Sequence, residues 1–394
     1  MNVLFVCHRV PYPPKRGGKI RPFNIIRHLH GQGHRVTVAS LARSPAELAE
    51  ARDLSQHCAE VLVEVIPGRV ALPQMVARLP TPAPSSFGYF WSRRLARRIE
   101  AAAAATRFDL VFVHCSSVAG YVDRIAAPLR IVDFGDMDSQ KWREYAGHRG
   151  FPLSAGYWLE AVKLERRERQ IAARFDVSTC TTRAELESLR ALGATGPSDW
   201  FPNGVDAGFF APDETPYEPD LIAFVGRMDY FPNQQGVTGF CRDILPALRA
   251  RRPGVRFAIV GADPPESIRA LAREPGVTVT GSVPDVRPHV RRAALTVAPL
   301  AIARGTQNKI LESMAMGVPV VCSPAASGGV DAIADEHLLV ASEPAQWAQA
   351  IDRILGDPGS RRQLSVAGRE RVLSHHSWAA SMRRLDGIIE EASR

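Results

Sequence analysis

The segment Ala303-Arg304-Gly305-Thr306-Gln307-Asn308-Lys309-Ile310-Leu311-Glu312 places a glycine, a lysine and a carboxylate where an apolar run gives way to a helical pattern. Gly305 allows a ligand to approach the backbone closely. A helix beginning near Thr306 presents unpaired N–H groups and a partial positive charge, a setting that attracts phosphate. Lys309 adds a full charge close to that end. Glu312, three residues further and on the same face, can accept from two neighbouring hydroxyls such as those of a ribose. As an ordinary solvated pair, Lys309 and Glu312 would mean little; the strand-glycine-helix setting and the Gly317-Val318-Pro319 turn favour a ligand.

A second basic, glycine-containing loop lies near the start: Pro11-Tyr12-Pro13-Pro14-Lys15-Arg16-Gly17-Gly18-Lys19-Ile20-Arg21. Its backbone amides and its cations Lys15, Arg16, Lys19 and Arg21 suit an anion, without the GxGxxG spacing of a dinucleotide site. His114 closes an apolar run and is a third candidate, although a lone histidine at a strand end is more often structural. Asp136 and Asp138 follow another run and read as acceptor-side lining. From Phe87 through Ile99, aromatics and four arginines share one helical segment, a combination that suits an anionic membrane surface.

These residues need elements to hold them. Short β-branched apolar runs at 3–7, 36–41, 61–66, 110–114, 130–134 and 177–181 read as buried strands, with helical patterns between them. After a Pro- and acid-rich stretch the alternation restarts, with runs at 221–225, 255–260, 277–280, 295–298 and 318–322. The expected architecture is α/β, with two doubly wound, Rossmann-like domains facing a cleft. Their expected limits are 1–203, a linker at 204–220, 221–376, and a final helix at 377–394 returning towards the first domain.

A chain of 394 residues, 45% hydrophobic and 23% charged, has ample material for two cores. Its net charge of +8 implies an acidic partner. The basic residues are scattered and form no recognisable nucleic-acid module, so nucleic acid is not expected. Six cysteines lie far apart without a CxxC pair, which argues against disulfides or zinc. With neither a signal sequence nor a membrane span in evidence, a cytoplasmic location is expected, peripheral on the inner membrane face if the segment from Phe87 docks.

Taken together, the motifs bring a family into view. Glu312-Ser-Met-Ala-Met-Gly-Val-Pro-Val resembles the second half of the Glu-x7-Glu signature of retaining GT-B glycosyltransferases of family 4. Pro202-Asn203-Gly204-Val205-Asp206, Gly226-Arg227 and Gly17-Gly18 match further positions in the right order. Asp133-Phe-Gly-Asp-Met-Asp-Ser-Gln-Lys-Trp, Met228-Asp-Tyr-Phe-Pro-Asn and Gln307-Asn-Lys are similar to the sugar transferases associated with the PEP-CTERM/exosortase system. Two departures stand out. Arg304 occupies the place of the first Glu, and the Arg-x5-Lys pair starting at Arg227 ends on Asn233.

The resemblance implies transfer of a sugar from a nucleotide-diphosphate donor to a lipid-linked or saccharide acceptor, without metal or cofactor. It implies that Gly17, Gly18, Arg227, Arg304, Gly305, Thr306, Lys309 and Glu312 hold the donor. His114, Arg227 and Lys309 would be the catalytic set, with Asp136, Asp138, Lys19 and Arg21 on the acceptor side. Lys309 or Arg304 would replace the charge absent at Asn233. Two rival readings share the fold: a nucleotide-sugar epimerase, which would need no acceptor, and a non-catalytic nucleotide-sugar-binding subunit of a polysaccharide assembly complex.

Overall fold

The computed structural model describes residues 1–14 and 17–394; Lys15 and Arg16 of the N-terminal loop lie outside the described residues. The chain forms two compact units, one of residues 1–202 with 382–394 and one of residues 203–381.

The first unit is built on a seven-stranded sheet. Its strands are β1 (Asn2–Cys7), β2 (Arg35–Ala42), β3 (Glu60–Val65), β4 (Leu110–His114), β5 (Leu129–Gly135), β6 (Val177–Cys180) and β7 (Ser198–Trp200). They lie in the order β3-β2-β1-β4-β5-β6-β7, and every pairing is parallel. A parallel sheet covered by helices on both faces needs apolar side chains on both faces, which is why its strands read as continuous apolar runs. Leu4, Val6, Val111, Val113, Val132 and Phe134 sit in one core, and Phe5 stacks on Phe112 with centroids 5.1 Å apart. Fully burying such a ring contributes about 1.5–3 kcal/mol. The last turns of the final helix, Trp378–Ala392, join this unit through His28 to Asp386 at 2.7 Å and Arg384 to Asp199 at 2.9 Å.

The second unit repeats the plan with β8 (Glu218–Val225), β9 (Arg256–Val260), β10 (Val277–Gly281), β11 (Ala293–Ala298), β12 (Val320–Cys322) and β13 (Leu339–Val340). Their order is β10-β9-β8-β11-β12-β13, again parallel throughout. Ile222, Phe224, Phe257, Ile259, Leu295 and Val297 fill its core. Strand β8 starts within the stretch read as a linker, because Glu218 is anchored by Arg256 and Arg292.

Both sheets reverse direction of winding once. In the first, β1 and β4 are neighbours although two strands intervene in sequence; in the second, β8 and β11 are. At such a switch point the loops after the two strands diverge to opposite faces and leave a crevice at their carboxyl ends. Four loops are therefore singled out: those after β1 and β4, and those after β8 and β11.

Candidate functional site

In the second unit, the loops after β8 and β11 carry Arg227 and the Gly305 segment. Gly226 closes β8 so tightly that a Cβ there would lie 2.7 Å from the Asn233 side chain. Asn233 is buried at the start of the helix Phe231–Gly239. Its Nδ2 donates to the Arg227 carbonyl at 2.7 Å, and the neighbouring Gln234 donates to the Met228 carbonyl at 2.7 Å. The loop thus has a fixed shape.

Across the switch point, Gly305 adopts φ +62°, a left-handed conformation that favours glycine. The Gly305 carbonyl packs against Gly329, where a Cβ would come within 2.0 Å of that oxygen. The helix starts at Asn308, two residues later than its expected origin at Thr306, and runs to Ala315. Gln307 occupies its cap position without capping through its side chain, which instead donates to the Arg304 carbonyl. Thr306 Oγ1 and Asn308 Oδ1 are buried without a hydrogen-bond partner within the protein. Here, then, are first-turn amides, a left-handed glycine and the Thr306 hydroxyl in one place, the features of an anion cradle, while Asn308 Oδ1 can only accept.

Lys309 lies in that first turn and its Nζ donates to Asn233 Oδ1 at 2.7 Å, 4.6 Å from the Phe224 ring centroid. Burial lowers the Lys309 ammonium to about 7 against the opposing charge of Glu312, and burial likewise raises Glu312 to about 7 against Lys309. Arg227 is exposed and held by two carboxylates, Asp229 at 2.7 Å and Asp263 at 2.6 Å. These hydrogen bonds raise its pKa further. Both carboxylates bind through Nε and Nη2, so a phosphate would meet Arg227 through Nη1.

In the first unit, register brings the polar residues together. Cys7 pairs with His114, His114 with Asp133, and Asp133 with Thr179, making one row across β1, β4, β5 and β6. His114 is buried and its Nδ1 lies 2.7 Å from Asp133 Oδ2. The Asp133 carboxylate also accepts from Arg21 Nε and Nη2, both at 2.8 Å, and from Thr179 at 2.9 Å. Burial would raise Asp133, but the Arg21 charge and the hydrogen bonds from Arg21 and His114 outweigh it and hold the carboxyl well below its usual range. Asp133 therefore anchors the ring through Nδ1.

Arg21 and Lys19 differ from the acceptor-side role expected of them. Arg21 is buried, bonded to Asp133, donating to the Phe201 carbonyl at 2.9 Å and stacked 3.7 Å over the Phe201 ring. Lys19 is buried against Glu47 at 2.9 Å. Both sit within the helix Gly17–Gly31, which points them inward. Gly17 and Gly18 are the first two residues of that helix rather than a loop before it, so their amides form its open end.

Asp136 and Asp138 follow β5. Asp136 is exposed and accepts from Thr181 at 2.7 Å; Asp138 pairs with Lys141 in the first turn of the helix Asp138–Gly147. His8 is a further residue of this site that no sequence motif marks. It directly follows β1, which is the available signal, and its ring centroid lies 5.9 Å from that of His114. His8, His114 and Cys115 each bring one ligand-capable atom within 4.8 Å of the others. Burial and the nearby Asp138 and Asp133 charges push the Cys115 thiol well up, which keeps it protonated.

The segment from Phe87 through Ile99 corrects the expected membrane contact. It is two helices, Ser85–Tyr89 and Arg93–Ala105, with Phe87, Leu95 and Ile99 buried and Tyr89, Phe90 and Trp91 packed on the same core. Trp91 stacks on Tyr121, and Arg98 is tied to Glu64 at 2.9 Å. The aromatics serve the interior. Among the described residues, no helix is long and apolar enough to cross a membrane.

Comparison with known proteins agrees with the two-unit plan. The family model described as Glycosyltransferase Family 4 matches residues 16–209, and that described as Glycosyl transferases group 1 matches residues 219–357. The chain is a glycosyltransferase of family 4, with the GT-B fold. It is 28% identical over 299 residues to the D-inositol 3-phosphate glycosyltransferase of Nocardia farcinica, covering 66% of this chain and 63% of that one. The enzyme of the same name from Corynebacterium diphtheriae is 25% identical over 194 residues, 45% of this chain and 44% of its own. The matched stretches thus span less than two thirds of these relatives. Among solved structures, sucrose-phosphate synthase from Thermosynechococcus elongatus superposes with a TM-score of 0.74 at 18% identity, over 99% of both chains. Anabaena HepE in complex with UDP-glucose gives 0.66 at 14% identity, over 99% of this chain and 100% of that one.

Proposed function

We propose that the chain transfers a sugar, with retention, from a nucleotide-diphosphate sugar to a hydroxyl of a lipid-linked or saccharide acceptor, in the synthesis of an exopolysaccharide or cell-envelope glycan. The observation that carries this reading is the convergence, at the β8/β11 switch point, of the Gly305 cradle, Lys309 and Glu312. As the bond from the anomeric carbon to the phosphate oxygen breaks, charge grows on the leaving diphosphate. The first-turn amides, Lys309 and Arg227 are preorganised donors for that charge, and such donors lower the barrier. Glu312 accepts from the ribose hydroxyls. The acceptor oxygen forms the new bond to the anomeric carbon on the face the phosphate leaves, and its proton passes to the departing diphosphate. His114, oriented by Asp133, with Asp136 and Asp138, serves the reacting sugar and the acceptor.

Arg304 stands where the family has a carboxylate, so the donor sugar is read by other groups or in another manner. HepE is described bound to UDP-glucose, which makes uridine sugars the first donors to try. A melting-temperature panel of uridine, guanosine and adenosine diphosphate sugars tests the reading, since a ligand that binds only the folded state raises the melting point by mass action. If no nucleotide sugar raised it, the donor site would be wrongly assigned. Release of nucleoside diphosphate only in the presence of an acceptor would then separate transfer from epimerisation.

A further inference from the structure

The helix Leu153–Ala172 buries Ala161, Leu164, Ile171 and Ala172 on one side. Its opposite side is also apolar. Trp158, Leu159 and Val162, at helical spacing, are all exposed, Trp158 by 54%, and Phe151 just before the helix is 88% exposed. The same stripe continues into Arg166 and Arg169, both exposed. Lys163 donates to the Leu79 carbonyl at 2.8 Å, and Glu160 accepts from the Ser85 and Ser86 amides at 2.9 and 2.8 Å. These bonds lash the segment around Leu79 to the helix. That segment follows the helix Gly68–Val76, whose Leu72 and Val76 are exposed, as is Leu79 itself. A folded protein gains nothing from presenting such side chains to water, and their grouping on one helix face marks an interaction surface.

The exposed charges on these segments are predominantly basic. Arg69, Arg149, Arg166 and Arg169 are exposed, whereas Glu160 and Glu168 are buried and Glu165 is paired with Arg143. The stretch from Gly68 to Leu79 has no acid. A second copy of the chain would set these arginines against one another across a two-fold axis. An anionic bilayer accommodates both features: Phe and Trp enter the headgroup boundary while arginines meet lipid phosphates.

We infer that the face formed by Phe151, Trp158, Leu159, Val162 and Leu79, rimmed by Arg166 and Arg169, docks the protein on an anionic phospholipid surface. For its purpose this rests on the lipid-linked reading of the acceptor, since docking brings the enzyme to a substrate held in that surface. The binding itself is measurable without any acceptor.

The full chain is spun with phosphatidylcholine vesicles, with or without phosphatidylglycerol. Co-sedimentation is expected only with phosphatidylglycerol, and weaker at high salt. The Phe151→Ser/Trp158→Ser variant should bind on the order of tenfold more weakly, and Arg166→Glu/Arg169→Glu at least as much, at about fivefold per arginine. Both variants should keep the wild-type melting point, because the altered side chains are exposed. Wild-type protein that ignores phosphatidylglycerol, or a double serine variant that binds unchanged, overturns the inference. So does a dimer that the serine variant converts to monomer. The nucleotide-sugar melting shift, read in the same preparations, keeps the two readings apart: if it persists while vesicle binding fails, docking alone is rejected.

Discussion

Lys309 Nζ donates to Asn233 Oδ1 at 2.7 Å, and the same Asn233 donates to the Arg227 carbonyl at 2.7 Å. One amide therefore ties the loop after β8 to the helix after β11. The family's second cation falls at position 233 in sequence; here that position holds the acceptor that aims a lysine from the other loop. We propose that Lys309 supplies the cation that Asn233 does not.

Asn233→Ala removes both hydrogen bonds and frees Lys309. A buried hydrogen bond to a charged group is worth about 1.5–3 kcal/mol, so the Kd for nucleoside diphosphate should rise about tenfold or more. Titration calorimetry measures this directly. An unchanged Kd would mean that Lys309 does not depend on Asn233 to reach the phosphate.

Burial displaces Lys309 downward and Glu312 upward, each to about 7. A bound diphosphate raises Lys309, which then takes up a proton, while a ribose hydrogen-bonded to Glu312 lowers that carboxyl, which then releases one. A nucleotide sugar has no phosphate titrating near 7, so the protons exchanged belong to the protein. In Glu312→Gln, binding should take up protons at pH 7–8 and weaken as the pH rises. In Lys309→Met, binding should release protons and strengthen as the pH rises through 7. Calorimetry in buffers of different ionisation enthalpy gives the sign, and the same sign in both variants would refute these roles.

The strands of both sheets were readable because burial on two faces leaves an unbroken apolar run in sequence. Ser198–Trp200 and Leu339–Val340 escaped notice; each is an edge strand, the first polar and the second only two residues long. Gly305, Lys309 and Glu312 were visible as a local pattern on one turn. The Asn233–Lys309 contact was not, since it joins residues 76 apart through strand order alone. Position along the chain also misled over Arg21 and the aromatics from Phe87. A basic loop and an aromatic helix look the same in sequence whether they face solvent or core, and only packing shows that Arg21 lies under Phe201 and that Trp91 lies on Tyr121.

Asp133 has the most to lose by substitution. It neutralises the buried Arg21 and orients His114. Asp133→Asn leaves the guanidinium uncompensated, which costs about 3–5 kcal/mol, readable by denaturant unfolding at neutral pH. The pH dependence has a definite sign. A carboxyl depressed in the folded state stabilises above its unfolded value, about 3.9, and that contribution is lost as the pH falls through the folded value. The gap between wild type and variant should thus be constant near neutrality and begin to shrink below about pH 4. A gap that instead shrank between pH 7 and 5 would point to a histidine as its source.

Gly329 tests the cradle without touching a charged group. A Cβ at Gly329 would lie 2.0 Å from the Gly305 carbonyl oxygen, a contact between backbone atoms that no rotamer relieves. Gly328 next to it has its nearest neighbour at 3.7 Å, an ordinary contact. Gly329→Ala must push the Gly305 loop aside, with a cost of about 1–3 kcal/mol in stability and a displacement of the first-turn amides. Donor affinity should fall at least about tenfold, since an ångström of misplacement at such a site is costly. Gly328→Ala should leave both melting point and affinity nearly unchanged. If Gly329→Ala lost stability but kept full affinity for the nucleotide sugar, the Gly305 loop would be a structural turn and the diphosphate would have to be held elsewhere.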